Sequence, residues 1–211
     1  MQYGFYVDSA RCVGCKTCQV ACKDENDTPV GALFRRVHNY EDGDWAWDGG
    51  LWRPANMVSY QLSVSCNHCA SPACVANCPS GAMQKDDETG IVTSDPEVCI
   101  GCQTCVRSCP YGAPQYLGEE ASVIGKCDGC RERRAAGLDP RCVTVCPTRA
   151  LEFDDLKALR ERHPGLDALV EPLPDDGTDP SLLVNPHPGA PKTGQGAGTS
   201  PDFIFELGNM L

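Results

Sequence analysis

Sixteen of the 211 residues are cysteine, and they fall into four runs of four with none left over. Cys12, Cys15, Cys18 and Cys22 follow the spacing C-x2-C-x2-C-x3-C, and Cys66, Cys69, Cys74 and Cys78 follow C-x2-C-x4-C-x3-C-P. Cys99, Cys102, Cys105 and Cys109 form C-x2-C-x2-C-x3-C-P, and Cys127, Cys130, Cys142 and Cys146 form C-x2-C-x11-C-x3-C-P. Three chemistries compete for thiols in such numbers. A disulfide framework belongs to small secreted domains with irregular spacing. A structural zinc site joins two separated C-x-x-C knuckles, whereas the first and third runs place three thiols within seven residues and a fourth one helical turn later. Iron–sulfur ligation asks for that pattern. Three thiolates on one tight loop cap one face of a cubane, while the fourth sits on a helical turn and points to the other cluster of a pair. The proline behind it ends the turn. With four thiolates per cubane, sixteen metal ligands provide for four 4Fe-4S clusters.

Each run sits in a repeating unit that must aim its thiols. Phe5-Tyr-Val-Asp8 before Cys12 parallels Ile91-Val-Thr-Ser-Asp95 before Cys99: a short apolar run, then an Asp four residues ahead of the first cysteine. Such an Asp launches the loop through an Asx-type turn. Gly14 and Gly101 let the backbone approach the sulfides, or serve as ordinary turn glycines. C-P-x-x-A recurs at Cys78–Ala82, Cys109–Ala113 and Cys146–Ala150, and β-like stretches follow at Ala82–Lys85 and Leu151–Phe153. Cys22 departs from the pattern, being followed by Lys23.

Only 20 residues separate Cys78 from Cys99, so the second and third runs pair naturally, and the first then pairs with the fourth. Crossed ligation gives Cys12, Cys15, Cys18 with Cys146, and Cys22 with Cys127, Cys130, Cys142. It also gives Cys66, Cys69, Cys74 with Cys109, and Cys99, Cys102, Cys105 with Cys78. Spacing alone leaves pairing of the first run with the second open. The expected fold is α+β: two ferredoxin-like two-cluster domains with a β-hairpin insertion and an extended C-terminal tail. One domain comprises residues 1–55 and 117–170, the other residues 56–116, and residues 171–211 are the Pro/Gly-rich tail.

The insertion carries Trp45, Trp47 and Trp52, which either dock a partner or pack over the clusters. Phe34–Tyr40 and Met57–Val64 read as strands, with turns at Asp42-Gly43 and Gly49-Gly50. Asp154–Arg162 reads as an exposed helix capped by Asp. The tail is too polar to fold alone and needs a second surface, with Leu182-Leu183-Val184 and Phe203-Ile-Phe205 as apolar anchors.

Composition narrows the function. A net charge of −11 argues against nucleic acid, whose phosphates need a basic face. No apolar run reaches the ~18 residues of a membrane span. The N-terminus lacks a signal-peptide pattern, and the pairs Arg35-Arg36 and Arg133-Arg134 have no apolar stretch behind them, so export would need a partner to carry the protein. There is no dinucleotide fingerprint or P-loop, and clusters ligated only by protein offer no open iron. The protein is therefore expected to move single electrons and to have no catalytic residues. His68, between Cys66 and Cys69, either tunes its cluster or fills the loop. Lys126, Arg131, Arg133, Arg134, Arg141 and Arg149 surround the fourth run, either raising a cluster potential or forming a solvated face.

The order of the runs, the x11 spacer, Ala21-Cys-Lys-Asp24, Ser65-Cys-Asn-His-Cys69, Cys78-Pro-Ser-Gly-Ala-Met83 and Cys109–Tyr116 together resemble the iron–sulfur electron-transfer subunit of the dimethyl sulfoxide reductase family of molybdopterin oxidoreductases. The resemblance covers about residues 2–195. It implies a complex with a molybdopterin-containing catalytic subunit and a membrane anchor that oxidises quinol. It also implies membrane association through those partners, on the outer face by co-export, with the cytoplasmic face as the alternative. Related nitrate reductases replace one ligand of the third run by an aromatic residue, but Cys102 is present here. Family members serve catalytic subunits for S-oxides, N-oxides, oxyanions and aromatic hydroxyls, and the same relay runs in reverse from formate-type donors.

Overall fold

The computed structural model describes residues 1–118 and 123–200. In sequence order the elements are β1 (Tyr3–Asp8), α1 (Thr17–Glu25), β2 (Arg35–Asp48), β3 (Leu51–Ser65), α2 (Ala73–Ala76), β4 (Met83–Lys85), β5 (Val92–Ser94) and α3 (Thr104–Ser108). They continue with β6 (Gln115–Tyr116), β7 (Ile124–Gly125), α4 (Arg131–Ala135), α5 (Arg141–Thr144), β8 (Leu151–Asp155), α6 (Leu156–Arg162) and β9 (Leu182–Asn185).

β1 is the middle strand of a three-stranded sheet, antiparallel to β8 and parallel to β9. Side chains alternate across a strand, and here both faces are covered. Phe5, Val7, Leu151, Leu182 and Val184 join the main core, which also contains Cys18, Cys22, Cys66, Cys109, Cys127, Cys142 and Cys146. Tyr6 and Leu183 pack on the other side with Leu156 and Leu159 of α6. Burial on both faces explains why β1 reads as an unbroken apolar run. A smaller core gathers Cys74, Cys105, Met83, Val92 and Ile124 around the β4–β5 pair.

β2 and β3 form a long antiparallel ribbon closed at Gly49-Gly50. The turn expected at Asp42-Gly43 is instead a bulge: the register slips between Asp42 and Asp44, and Gly43 absorbs it at φ 133°. Its base is buried through Val37, Tyr40, Tyr60 and Leu62, while Trp45, Trp47 and Trp52 stand exposed near the tip. They do not cover the thiols. A domain boundary at 55/56 would fall inside β3.

Two other expectations need correction. Asp155 does cap α6, accepting from the backbone N–H of Lys157 and Ala158, but Leu156 and Leu159 are buried, so the helix packs on the sheet rather than lying exposed. The larger correction concerns residues 171–200. They are not an unpaired tail, since Leu182–Asn185 is the strand β9, buried against β1. Ala70 N–H donates to Asp179 O (2.8 Å), Ser71 N–H to Thr178 O (3.0 Å) and Ser181 N–H to Asn67 O (2.9 Å). Glu41 and Thr199 exchange backbone hydrogen bonds at the hairpin edge. The surface this polar segment needs is the protein's own. Phe203-Ile-Phe205 lies outside the described residues.

Candidate metal centres

The loops that carry the thiols share one backbone device. Asp8 Oδ1 accepts from Arg11 N–H (3.0 Å) and Asp95 Oδ1 from Glu97 N–H (2.9 Å), so both Asp residues start the loop through side-chain turns. The residue before the second cysteine is left-handed in every run: Gly14 (φ 65°), His68 (φ 43°), Gly101 (φ 67°) and Gly129 (φ 68°). Glycine adopts this conformation freely, and His68 is the exception.

His68 is fully buried. Its Nδ1 accepts from Val92 N–H (3.0 Å) and lies 3.7 Å from Cys66 Sγ. Burial, aided by Lys126, holds its pKa well below the usual imidazole range, so the ring is neutral with its proton on Nε2.

The fold gathers thiols that are far apart in sequence. Cys12, Cys15, Cys18 and Cys146 line one small cavity, and Cys66, Cys69, Cys74 and Cys109 line another. Cys22 lies in the electrostatic field of Cys142 and Cys130, and Cys127 in that of Cys22, Cys66 and Cys142. Cys78 acts on both Cys102 and Cys105, while Cys78 and Cys99 each pack against the smaller core. α1 meets the fourth run through Glu25, which pairs with Arg141 (3.5 Å) and Arg133 (3.9 Å).

Most of these thiols are buried. Burial pushes Cys22, Cys69 and Cys109 up to about 12, and Cys74 and Cys105 up to about 11. A thiol in that position becomes a ligand by giving its proton up to the metal. Cys15 and Cys102 are exposed, and the hydroxyls of Thr17 and Thr104 lower both thiols from the usual value.

Among the described residues no three His, Cys, Asp or Glu side chains converge on a single-ion site. Two of the thiol sets instead ring cavities, which suits a cubane with iron at alternate corners. The buried donors Arg35 Nε and His68 Nε2 have no hydrogen-bond partner among the described residues, and Arg35 lies in the field of Cys142, Cys18, Cys127 and Cys22, which fits a sulfur-rich, electron-dense group.

Two of the basic residues of the fourth run are fasteners, while Arg131 and Arg149 remain exposed. Lys126 is buried and donates to Cys127 O (2.8 Å) and to Val92 O. Arg134 Nε donates to Gly129 O (2.8 Å) while its guanidinium covers the rings of Tyr3 and Phe153. Sequence reading missed two residues here. Lys85 ties the second run to the N-terminus through Cys69 O (2.8 Å) and Gln2 Oε1 (2.9 Å), and Arg35 is buried at the base of β2. Strand alternation is the one signal that points one of Arg35 and Arg36 inward.

Thiol loops of this kind, on a small mixed α/β scaffold, define a polyferredoxin-type iron–sulfur protein. A 4Fe-4S dicluster domain model matches residues 57–156 and a 4Fe-4S binding domain model matches residues 9–28. The probable anaerobic dimethyl sulfoxide reductase subunit YnfG of Escherichia coli is 50% identical over 198 residues, covering 93% of this protein and 95% of that one. The B subunit of anaerobic dimethyl sulfoxide reductase from the same organism is 49% identical over 198 residues, with the same coverage. The thiosulfate reductase electron transfer subunit PhsB of Salmonella typhi is 43% identical over 157 residues, covering 74% of this protein and 77% of that one. The protein belongs to the family of iron–sulfur subunits of anaerobic dimethyl sulfoxide reductases. It carries four 4Fe-4S clusters and is an electron-transfer subunit, not a catalytic one.

Proposed function

We propose that this protein relays electrons between a quinol-oxidising membrane anchor and a molybdopterin-containing catalytic subunit of a terminal reductase for an S-oxide such as dimethyl sulfoxide. In this reading the ligand sets are Cys78/99/102/105, Cys66/69/74/109, Cys22/127/130/142 and Cys12/15/18/146, in that spatial order, with the first and fourth runs sharing one domain and the second and third the other. The complex sits at the membrane through its partners, on the outer face. Names of relatives support the S-oxide class. The clusters, when bound, supply one-electron redox chemistry.

The observation that carries the reading is the contrast between the middle and the ends of the row. Cys66 and Cys127, from different runs, are buried and act on one another, which supports continuity across the middle. At the two ends Cys15 and Cys102 are exposed, and each loop is collared by exposed apolar side chains: Val13 (65% exposed) and Val20 at one end, Ile100 (65% exposed) and Val98 at the other. Exposed apolar side chains next to a redox centre suit a docking face.

The anaerobically purified protein is expected to hold close to 16 iron and 16 acid-labile sulfide per molecule; zinc as the dominant metal would overturn the reading. Val13→Asp and Ile100→Asp, each placing a charge in a collar, are expected to slow electron transfer about tenfold, equivalent to ~1.4 kcal/mol of docking energy. The cluster EPR spectra should stay unchanged. Unaltered turnover in both variants would show that electrons enter and leave elsewhere.

A further inference from the structure

Arg35 opens β2 opposite Ser65 of β3, with Val37 and Ser63 as the next pair on the same face. Its guanidinium is buried. Nη1 donates to Ser63 O (3.2 Å) and Ser63 Oγ (3.0 Å), Nη2 donates to Ser65 Oγ (2.9 Å), and the plane lies over the Phe5 ring at 4.4 Å. Nε is buried with no hydrogen-bond partner among the described residues. A buried guanidinium is strongly unfavourable unless negative charge surrounds it.

That charge comes from sulfur. Burial pulls the guanidinium towards neutrality, but Cys142, Cys18, Cys127 and Cys22 outweigh it and hold the group charged. In the ligand sets proposed above, Cys18 belongs to one cluster and Cys22, Cys127 and Cys142 to its neighbour. Ser63 adds a direct link: its Oγ accepts from Arg35 and lies 3.3 Å from Cys18 Sγ, so with Cys18 as a thiolate its hydroxyl proton points to that sulfur.

We propose that Arg35, pinned by Ser63 and Ser65, is a shared positioning residue that raises the reduction potentials of the two clusters on either side of it, reaching the Cys18 ligand through the Ser63 hydroxyl. The proposal rests on the ligand partition given under the proposed function. A fixed positive charge favours the more negative, reduced form of a nearby cluster, and hydrogen bonds to ligand sulfur act in the same direction. One cation serving two neighbours keeps their potentials together, which suits successive stations of a relay.

The test is potentiometric titration followed by EPR on the cluster-loaded full-length protein. Arg35→Gln keeps a hydrogen-bonding side chain and removes the charge. Its expected result is 16 iron retained and two midpoints moved negative by at least a tenfold change in the reduction equilibrium, about 59 mV for one electron, with the other two unmoved. Arg35→Lys keeps the charge but not the planar fork, and should restore most of the shift. Ser63→Ala should move only the cluster that Cys18 ligates, and it decides the matter if Arg35→Gln fails to assemble.

Unmoved midpoints in a fully loaded Arg35→Gln protein overturn the proposal, as does an equal shift of all four, which would mark a general structural effect. Cys18→Ser and Cys22→Ser test the partition separately, because they must disturb two different clusters. If both disturb the same one, the partition fails and the two-cluster form of the proposal fails with it. If they disturb different clusters while Arg35→Gln moves none, Arg35 alone is ruled out.

Discussion

Replacing Cys127 with Ser is expected to cost the protein its fold, whereas the same change at Cys102 should cost it one iron. Cys127 is buried within the main core, in the field of Cys22, Cys66 and Cys142 and beside the buried Lys126. A hydroxyl is far less acidic than a thiol and a poor iron ligand, so in the proposed ligand sets the exchange removes a ligand of a buried cluster. With the apolar fraction at 41% including the cysteines, little other core remains to compensate. Loss of a structural metal is among the changes that exceed ~4–5 kcal/mol, against a total stability of ~5–15 kcal/mol for a typical protein.

Cys102 stands in the opposite situation, exposed on its loop with Thr104 beside its sulfur. In the proposed ligand set, Cys78, Cys99 and Cys105 are left to hold three irons. The expected product is a folded protein with about one iron fewer, a new three-iron EPR signal and slowed electron transfer. Iron analysis, EPR and thermal melting separate the two outcomes. A Cys102→Ser variant with the full iron content and an unchanged spectrum would show that Cys102 is not a ligand. A Cys127→Ser variant that melts like the parent would show that the buried centre is not what holds the fold.

Much of the chemistry was legible because ligation is encoded locally. Three thiols within seven residues with a Pro behind the fourth have few other uses, and the Asp before the first and third runs starts the loop in the structure as its position implies. Elements defined by short-range pattern were legible too, such as β4 after the second run and β8 after the fourth.

What escaped was non-local or ran against composition. β9 is four residues long, lies in a Pro/Gly-rich stretch and pairs in parallel with a strand near the N-terminus; periodicity over so short a run carries little information. The pair Arg35-Arg36 bears in the sequence only on export; charged side chains are rarely buried without a partner, and the thiols whose field surrounds Arg35 belong to runs distant in sequence. Gly43 reads as a turn because a bulge and a turn use the same residue for the same conformational freedom.

Ending the protein at Gly177 is expected to strip a cluster and melt the central sheet, the reverse of what a detachable tail would do. The removed segment braces the second run directly. Asp179 O and Thr178 O accept from Ala70 and Ser71, Asn67 O accepts from Ser181 N–H, and Ser181 Oγ donates to His68 O at 3.1 Å. These groups hold Cys66 and Cys69 on their loop, and the Thr178 hydroxyl hydrogen-bonds the Cys69 sulfur.

The same truncation deletes β9, with Leu182, Leu183 and Val184 all buried. At ~1.5–3 kcal/mol for each fully buried aliphatic side chain, these three account for roughly 5–9 kcal/mol as an upper bound, comparable to the whole stability of a domain. The truncated protein should therefore hold no more than about 12 irons, three cubanes' worth, and melt well below the parent. Leu183→Asp provides a check with the backbone intact, since it buries a carboxylate among Tyr6, Leu156 and Leu159 and should destabilise by ~3–5 kcal/mol without touching a loop that carries thiols. Loss of iron in the truncation but not in Leu183→Asp at low temperature would assign the cluster defect to the Thr178–Ser181 brace. Full iron content in both would show that neither the brace nor β9 is needed to assemble the clusters.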